Sequence, residues 1–136
     1  MAVTTYNDYL RNQLGKIECV LAFDTAADYL GLTNGGYREK AQIYVKKHQM
    51  VNDAEQITVS SFSDKEYQNV NGLMCTTINQ TIIDLLEQNG DEQIITESLA
   101  NFYEEHNESF NELHIPEHLQ KRFQKYSEWA KEYYEE

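Results

Sequence analysis

Hydrophobic residues recur at a helical spacing near both ends of the chain and at a strand spacing in its middle. A first helix is predicted from about residue 5 to residue 14, and Gly15 interrupts it. Residues 16–23 are apolar and fit either a short strand or another helical turn. The next helix is predicted over residues 25–30, where Gly31 supplies the backbone freedom that ends it.

Polar residues set the boundaries of this short second helix. Asp24 or Thr25 is expected as its N-cap, because either side chain can accept a hydrogen bond from a free backbone N–H. Residues 32–36 end in two glycines and predict a turn. Residues 25–41 also have a rhythm that fits helix-turn-helix. The helix that would read DNA, after the glycine turn, would be short and nearly neutral. DNA binding by this segment is therefore the lesser hypothesis.

β-Branched and aromatic residues concentrate in the middle of the chain and predict a small sheet of three to four strands. Residues 42–46 and 56–62 are predicted to be two strands joined by a polar loop over residues 52–55. A turn at residues 71–72 precedes a third short strand at residues 73–76.

The segment from Thr77 to Gly90 has the clearest helical pattern, because both of its ends are encoded. Thr77 and Gln80 have capping-box spacing, and Gly90 supplies the stop. The aliphatic face of this helix consists of Ile78, Ile82, Leu85 and Leu86. Packing in a core explains that face without explaining Gln80, Thr81 and Asp84.

Two further helices are predicted over residues 91–106 and 116–134, and Pro116 suits the first position of the second one. The apolar seam of that last helix consists of Leu119, Phe123, Tyr126, Ala130 and Tyr133. The preferred interpretation is that this seam packs on the domain's own core. The alternative is a partner helix, which leaves a homodimer open.

These elements predict a single domain over residues 1–136, of α+β or α/β class. It would comprise an N-terminal helix over residues 1–14 and a helix with the small sheet over residues 15–76. Residues 77–136 would form an all-helical C-terminal half.

Acidic residues dominate the charge, most strongly in the C-terminal part. The formal net charge is −12, and residues 87–136 contribute −9 of it, since they hold 4 Lys and Arg against 13 Asp and Glu. Such a surface repels phosphates on balance, so direct nucleic-acid binding is not expected. A protein partner with a basic surface is the more natural inference, although acidity that only maintains solubility explains the charge equally well.

Few residues offer a catalytic or metal-binding pattern. Cys19 and Cys75 are expected to be reduced core thiols, which fits a cytoplasmic protein. His114 and His118 are four apart, but Pro116 between them argues against a shared helix face, so no metal site is predicted. No nucleophile elbow, phosphate-binding glycine loop, zinc-protease helix or membrane-spanning apolar run is present. We therefore expect neither an enzyme nor a cofactor.

Two segments stand out as a pair: Phe23-Asp-Thr-Ala-Ala-Asp-Tyr-Leu-Gly-Leu32 and Gln80-Thr-Ile-Ile-Asp-Leu85. Together they resemble the AbiEi-type antitoxins of type IV toxin–antitoxin and abortive-infection systems, over roughly residues 15–134. The motif residues that carry the resemblance are Asp24, Thr25, Ala26, Tyr29, Gly31, Gln80, Thr81 and Asp84.

Members of that family usually have an N-terminal winged helix-turn-helix followed by an α/β antitoxin domain, and they counteract a nucleotidyltransferase-type toxin. Only about 14 residues precede the first match here, so the resemblance covers the antitoxin domain without the DNA-binding domain. It implies a non-enzymatic protein that neutralises or opposes such a toxin, or a defence effector, through protein–protein binding.

The acidic helical tail is the expected contact surface, since a toxin that handles RNA or nucleotides should present basic grooves. The aromatic residues expected as anchors are Tyr103, Tyr126, Trp129, Tyr133 and Tyr134. The acidic residues expected beside them are Glu104, Glu105, Glu108, Glu128 and Glu132. Packing beneath the seam is the alternative explanation of the tyrosines.

A second hypothesis is an acidic inhibitor that imitates nucleic acid, such as a phage or mobile-element protein directed against a CRISPR or restriction nuclease. Its carboxylates would take the place of phosphates in the channel of that nuclease. The residues expected to do so are Glu104, Glu105, Glu108, Glu112, Glu128, Glu132, Glu135 and Glu136.

Overall fold

A five-stranded mixed sheet organises the chain in a computed structural model that describes residues 5–33, 40–88 and 90–133. The α-helices within these ranges are α1 (Tyr6–Leu14), α2 (Phe23–Tyr29), α3 (Ile78–Gln88), α4 (Glu92–Glu105) and α5 (Gln120–Glu132). The strands are β1 (Val20–Leu21), β2 (Ala41–Val45), β3 (Ala54–Thr58), β4 (Tyr67–Val70) and β5 (Leu73–Thr76). The fold is α+β with a helical C-terminal half, which confirms the predicted class.

Strand β1 lies at the centre of the sheet, whose order is β3-β2-β1-β5-β4. It pairs antiparallel with β2 and parallel with β5, while β3 lies parallel to β2 and β4 antiparallel to β5. The sheet thus has five strands where three to four were predicted. The ambiguous residues 16–23 supply β1, and the pattern misses β4 because that strand is mostly exposed and lacks apolar alternation.

The connection between β2 and β3 differs from the predicted loop over residues 52–55. The two strands pair in parallel, from Ala41 opposite Ala54 to Val45 opposite Thr58. Residues 46–53 must therefore return along the whole length of β2 before β3 begins, which a short turn cannot do.

Alternating side chains of the central strands divide the core between the two faces of the sheet. On one face, Val20 and Tyr44 pack with residues of α3, α4 and α5. On the other face, Leu21 and Ile43 pack with residues of α1. Helix α2 contributes buried residues to both clusters and so connects them.

Helix α2 begins differently from the prediction that Asp24 or Thr25 caps it. It starts at Phe23, and Ala22 stands at the N-cap without a side-chain hydrogen bond. The Thr25 hydroxyl is engaged elsewhere, because it accepts a hydrogen bond from the Gln42 N–H at 2.9 Å. The Asp24 N–H in turn donates to the Gln42 side-chain oxygen at 3.0 Å. Strand β2 therefore supplies the partners that a local cap would have supplied.

Gly31 ends α2 as predicted. Its φ of +80° is a conformation that residues with a Cβ atom rarely adopt. The Leu32 N–H donates to the Ala27 carbonyl at 2.8 Å, and the Gly31 N–H donates to the Asp28 carbonyl at 3.0 Å. These two bonds form a Schellman motif.

The glycine turn and the second half of the predicted helix-turn-helix segment fall largely on residues 34–39, which lie outside the described residues. The described chain resumes at Lys40 and enters β2 at Ala41. The end of that segment is therefore a strand.

Helix α3 is described over Ile78–Gln88, within the predicted segment, and the Thr77 hydroxyl accepts a hydrogen bond from the Gln80 N–H at 3.2 Å. The predicted capping box is only half formed. The Gln80 side chain accepts from the Glu66 N–H at 3.1 Å and donates to Asp84 at 2.9 Å, instead of reaching back to the Thr77 backbone.

Helices α4 and α5 pack against each other at the C-terminal end of the described chain. Asp91 caps α4, and α5 begins at Gln120 rather than at residue 116, because Pro116 precedes a short 3-10 turn. The seam residues buried or partly buried in the core beside α3 and α4 are Leu119, Phe123, Tyr126, Ala130 and Tyr133. The seam thus packs on the domain's own core, in agreement with the preferred interpretation of its spacing.

Candidate functional site

The residues of the first motif lie in α2 and directly after it, and most of their side chains make contacts inside the domain. Ala26 is buried, and Thr25 is buried and bound to β2. The Tyr29 hydroxyl donates to the Val70 carbonyl at 2.6 Å, which ties α2 to the end of β4. Asp24 is partly exposed. This motif therefore anchors α2 to the sheet.

The second motif lies on α3 and begins with a buried pair of threonines. The Thr81 and Thr76 hydroxyl oxygens lie 2.7 Å apart, and both residues are fully buried. The Thr81 hydroxyl also donates to the Thr77 carbonyl at 2.8 Å. These bonds join the end of β5 to the first turn of α3.

Asp84 of the same motif is the centre of a group that we call the Asp84 network, comprising Tyr44, Lys65, Gln80 and Asp84. Asp84 is 2% exposed. Its Oδ2 accepts a hydrogen bond from the Tyr44 hydroxyl at 2.8 Å. Its Oδ1 accepts from the Lys65 ammonium and from the Gln80 side-chain amide, each at 2.9 Å. The three donors offset the desolvation of the buried carboxylate.

Aromatic contacts join the first motif to this network. The Tyr44 ring lies 5.4 Å from the ring of Phe23, and the Lys65 Nζ lies 5.1 Å from the centroid of the Tyr44 ring. Phe23 has a φ of +51°, a left-handed conformation that costs about 1–2 kcal/mol in a residue with a Cβ atom. The two motifs therefore meet at Tyr44, on strand β2.

The electrostatics of the Asp84 network favour a structural role. Burial raises the pKa of Tyr44 well above its ordinary value, and the neighbouring charge of Asp84 adds to this effect. The phenol therefore stays protonated at neutral pH and serves as a donor to Asp84. With three donors already bound, the carboxylate has little remaining capacity for a substrate or a metal ion.

The histidines are engaged separately. His118 Nε2 lies 2.7 Å from a Glu87 carboxylate oxygen, and the backbone N–H of His114 donates to the Asn79 side chain at 2.8 Å. Within the described ranges, no group of three or more His, Cys, Asp or Glu is arranged to hold a metal ion. No described helix combines the length and apolar character that a membrane span needs.

Cys19 and Cys75 are free and buried, as expected of core thiols. Burial raises the pKa of the Cys19 thiol to about 11 and that of the Cys75 thiol to about 12. Since the thiolate is the reactive form, neither residue is activated as a nucleophile at neutral pH.

The residues predicted to contact a partner are divided between surface and core. The exposed acidic residues are Glu104, Glu105, Glu108, Glu112, Glu128 and Glu132. Trp129 is 45% exposed, and Tyr103 and Tyr133 are partly buried. Tyr126 is only 2% exposed, which corrects its assignment as a partner contact, because its ring packs in the core. Tyr134, Glu135 and Glu136 lie outside the described residues.

An open depression of about 310 Å³ lies between α4 and α5, and Trp129 forms one of its walls. Its lining residues are Glu92, Gln93, Thr96, Trp129 and Tyr133. We call these five residues, together with Lys125, the Trp129 surface. The Gln93 side-chain amide donates to the Tyr133 hydroxyl at 3.2 Å and so connects the two helices at one end of the depression.

Lys125 lies at the Glu92 side of this surface. The Trp129 ring meets the buried Tyr126 ring at 82°, with the ring centroids 5.6 Å apart. The Lys125 Nζ lies 5.1 Å from the Trp129 centroid and 5.2 Å from the Tyr126 centroid. It also lies 3.6 Å from the Glu92 Oε1. One cation thus contacts two rings and a carboxylate.

Acidic charge concentrates on α4 and its flanks, and α5 differs from them. Residues 87–119 contain nine Asp and Glu and no Lys or Arg. The charged residues of α5 are, in order, Lys121, Arg122, Lys125, Glu128, Lys131 and Glu132. The α5 carboxylates therefore alternate with cations and do not form an uninterrupted acidic row.

Sequence reasoning did not identify Tyr44, Lys65 or Glu92 as members of these sites. Their partners are distant in sequence, since Asp84 is 40 residues from Tyr44 and 19 from Lys65. One signal was available: Lys65 is the only Lys or Arg between Lys47 and Lys121. A single cation in a long stretch without other Lys or Arg is a candidate partner for a buried carboxylate.

No protein-family model matches this chain, and no curated protein matches it. The similarity of the two motifs to AbiEi-type antitoxins therefore stays a prediction. The physical role of the motif residues is independent of it, because their contacts attach α2 and α3 to the sheet.

Replacing Asp84 by Asn should lower the free energy of unfolding by about 2 kcal/mol, as measured by urea denaturation. The amide offers one acceptor oxygen where the carboxylate offers two, and it leaves the Lys65 ammonium without its counter-charge. Asp64→Asn, at an exposed position next to Lys65 in sequence, is the matched control and should change stability by less than about 0.5 kcal/mol. Equal effects of the two substitutions would refute a central role for Asp84.

Raising the pH should destabilise the protein through Tyr44. Because its pKa is raised in the folded state, its contribution is complete below pH 10.0, the ordinary tyrosine value, and is lost as the pH rises above it. Tyr44→Phe should be about 1 kcal/mol less stable at pH 7 but should lose stability less steeply above pH 10. Unfolding measured from pH 7 to pH 11 tests this. The exposed Tyr9→Phe should keep the wild-type slope, and identical slopes in all three proteins would contradict the assignment.

Proposed function

We propose that this protein is a non-catalytic, antitoxin-like protein that opposes a nucleotidyltransferase-type toxin or defence effector by binding to it through the Trp129 surface. The observation that carries the proposal is the half-exposed Trp129 beside an open depression. Tryptophan and tyrosine contribute much of the binding energy of protein interfaces. The resemblance of the two motifs supports the choice of target.

The Trp129 side chain is held in place although it faces solvent. Its ring packs edge-on against the buried Tyr126, which belongs to the core between α4 and α5. A binding residue that is already ordered loses little conformational entropy on association. This surface is therefore suited to act as a preformed anchor.

Electrostatics support a basic partner. Glu92 lines the depression, and it belongs to a stretch, residues 87–119, that holds nine Asp and Glu and no Lys or Arg. A toxin that handles RNA or nucleotides would present a basic groove, and opposite fields raise the rate of association.

Trp129→Ala should abolish the ability of the protein to rescue growth when it is co-expressed with a nucleotidyltransferase-type toxin encoded beside it. Affinity for the purified toxin should fall by about 30-fold or more, because truncating an interface anchor costs about 2 kcal/mol or more. The control is Met50→Ala, which removes a fully exposed apolar side chain outside this surface. The proposal would be wrong if the Trp129→Ala variant still rescued growth, or if the wild-type protein formed no complex with the toxin.

A second candidate, a nucleic-acid mimic, is favoured by one observation. The carboxylates at the end of α4 and in the loop after it are exposed, and no Lys or Arg interrupts them. They are Glu104, Glu105, Glu108 and Glu112. The carboxylates of α5 suit this role less well, because cations alternate with them.

Under this second candidate, replacing those four glutamates by glutamine should weaken inhibition of a CRISPR or restriction nuclease and reduce its dependence on salt. The pair Glu128→Gln and Glu132→Gln should have a smaller effect. Inhibition assays at several salt concentrations distinguish the two variants. Unchanged inhibition by the four-residue variant would exclude mimicry by this surface.

A further inference from the structure

The half-exposed Trp129 ring and the Glu92 carboxylate form a corner with the chemistry of a receptor for a positively charged group, and the buried Tyr126 ring packs edge-on against Trp129. Two aromatic rings stand nearly perpendicular, and a carboxylate lies beside them. A cation over the face of tryptophan or tyrosine is attracted by the negative charge of the ring face. Lys125 of the same chain now places its ammonium in this corner.

Lys125 holds this position weakly. Its charged nitrogen lies 3.6 Å from the Glu92 carboxylate, but both side chains are about half exposed, so solvent screens most of the attraction. A flexible lysine side chain also loses rotamer freedom when it is held in one place. A competing cation that is already ordered in a partner can therefore displace it.

We propose that this corner receives an arginine or lysine side chain from a basic segment of the protein partner, and that Lys125 is the internal competitor that it displaces. The inference rests on the proposed function, because it names the group that the partner brings to the Trp129 surface. Arginine fits best, since its planar guanidinium stacks on an aromatic face and can donate two bonds to Glu92.

Charge complementarity decides the occupant. The chain carries a net charge of −12, and the α4 side of the depression belongs to residues 87–119, which hold no Lys or Arg. An acidic or neutral segment would leave the Glu92 carboxylate without a counter-charge once Lys125 has moved. A basic segment replaces the lost cation.

Trp129 is the only tryptophan in the chain, so its fluorescence reports directly on this corner. The probe is the peptide acetyl-Gly-Arg-Gly-amide, and the matched control peptide carries neutral citrulline in place of arginine. The arginine peptide should change the emission saturably, and the citrulline peptide should not. Equal responses to both peptides would overturn the proposal.

Variants then separate a specific site from general electrostatics. Lys125→Gln should bind the arginine peptide about two- to five-fold more tightly, because the competing ammonium is gone. Lys121→Gln makes the same change in net charge one turn earlier on α5 and should leave affinity nearly unchanged. Glu92→Gln should weaken binding at least as much as Lys125→Gln strengthens it. Equal effects of the two lysine variants would refute the internal competitor.

The two proposals fail separately. If Trp129→Ala abolishes rescue of growth but the peptide titration shows no saturable change in Lys125→Gln, the surface binds a toxin and the cation site is wrong. If the peptide binds as described but rescue is indifferent to Trp129, the cation site stands and the antitoxin proposal is wrong.

Discussion

The buried carboxylate of Asp84 is the interaction on which the arrangement of sheet and helices most depends. A charge with 2% exposure persists only if polar groups are brought to it, and here they come from three parts of the chain. Tyr44 arrives on β2, Lys65 on the segment before β4, and Gln80 on α3 itself. Satisfying one side chain thus fixes the position of α3 against the sheet.

Strand β2 serves both motifs because of the two-residue period of a strand. Gln42 and Tyr44 project from the same face of the sheet. The Gln42 side chain accepts from the Asp24 N–H at the start of α2, and the Gln42 backbone N–H donates to the Thr25 hydroxyl. Tyr44 contacts the strained Phe23 and donates to Asp84. The two motifs, whose similarity to antitoxins stays a prediction, therefore consist mainly of residues that build the domain, and they carry little information about any binding surface.

Local patterns were sufficient for the elements whose ends are encoded nearby, as in α3, where Thr77 and an aliphatic stripe lie within one segment. They failed where the deciding contact is distant. The start of α2 depends on a residue 17 positions away, and the mostly exposed strand β4 lacks the apolar alternation that marks a strand. For the Trp129 surface, the sequence indicated Tyr126 and Trp129 alike as aromatic anchors. Only packing shows that the first is buried and the second exposed.

The opposite charge character of α4 and α5 constrains how any basic partner approaches. The acidic residues of α4 attract it, whereas the four basic residues of α5 repel it, and the Trp129 surface lies along the line where the two helices meet. Attraction on one side and repulsion on the other favour a single orientation of the partner, which a uniformly acidic surface would not do. Lys125, held between Glu92 and the two rings, lies on that line. A partner that places its own cation at this position displaces the Lys125 ammonium, which is one of the repelling charges. The same movement brings the partner into contact with the acidic residues of α4.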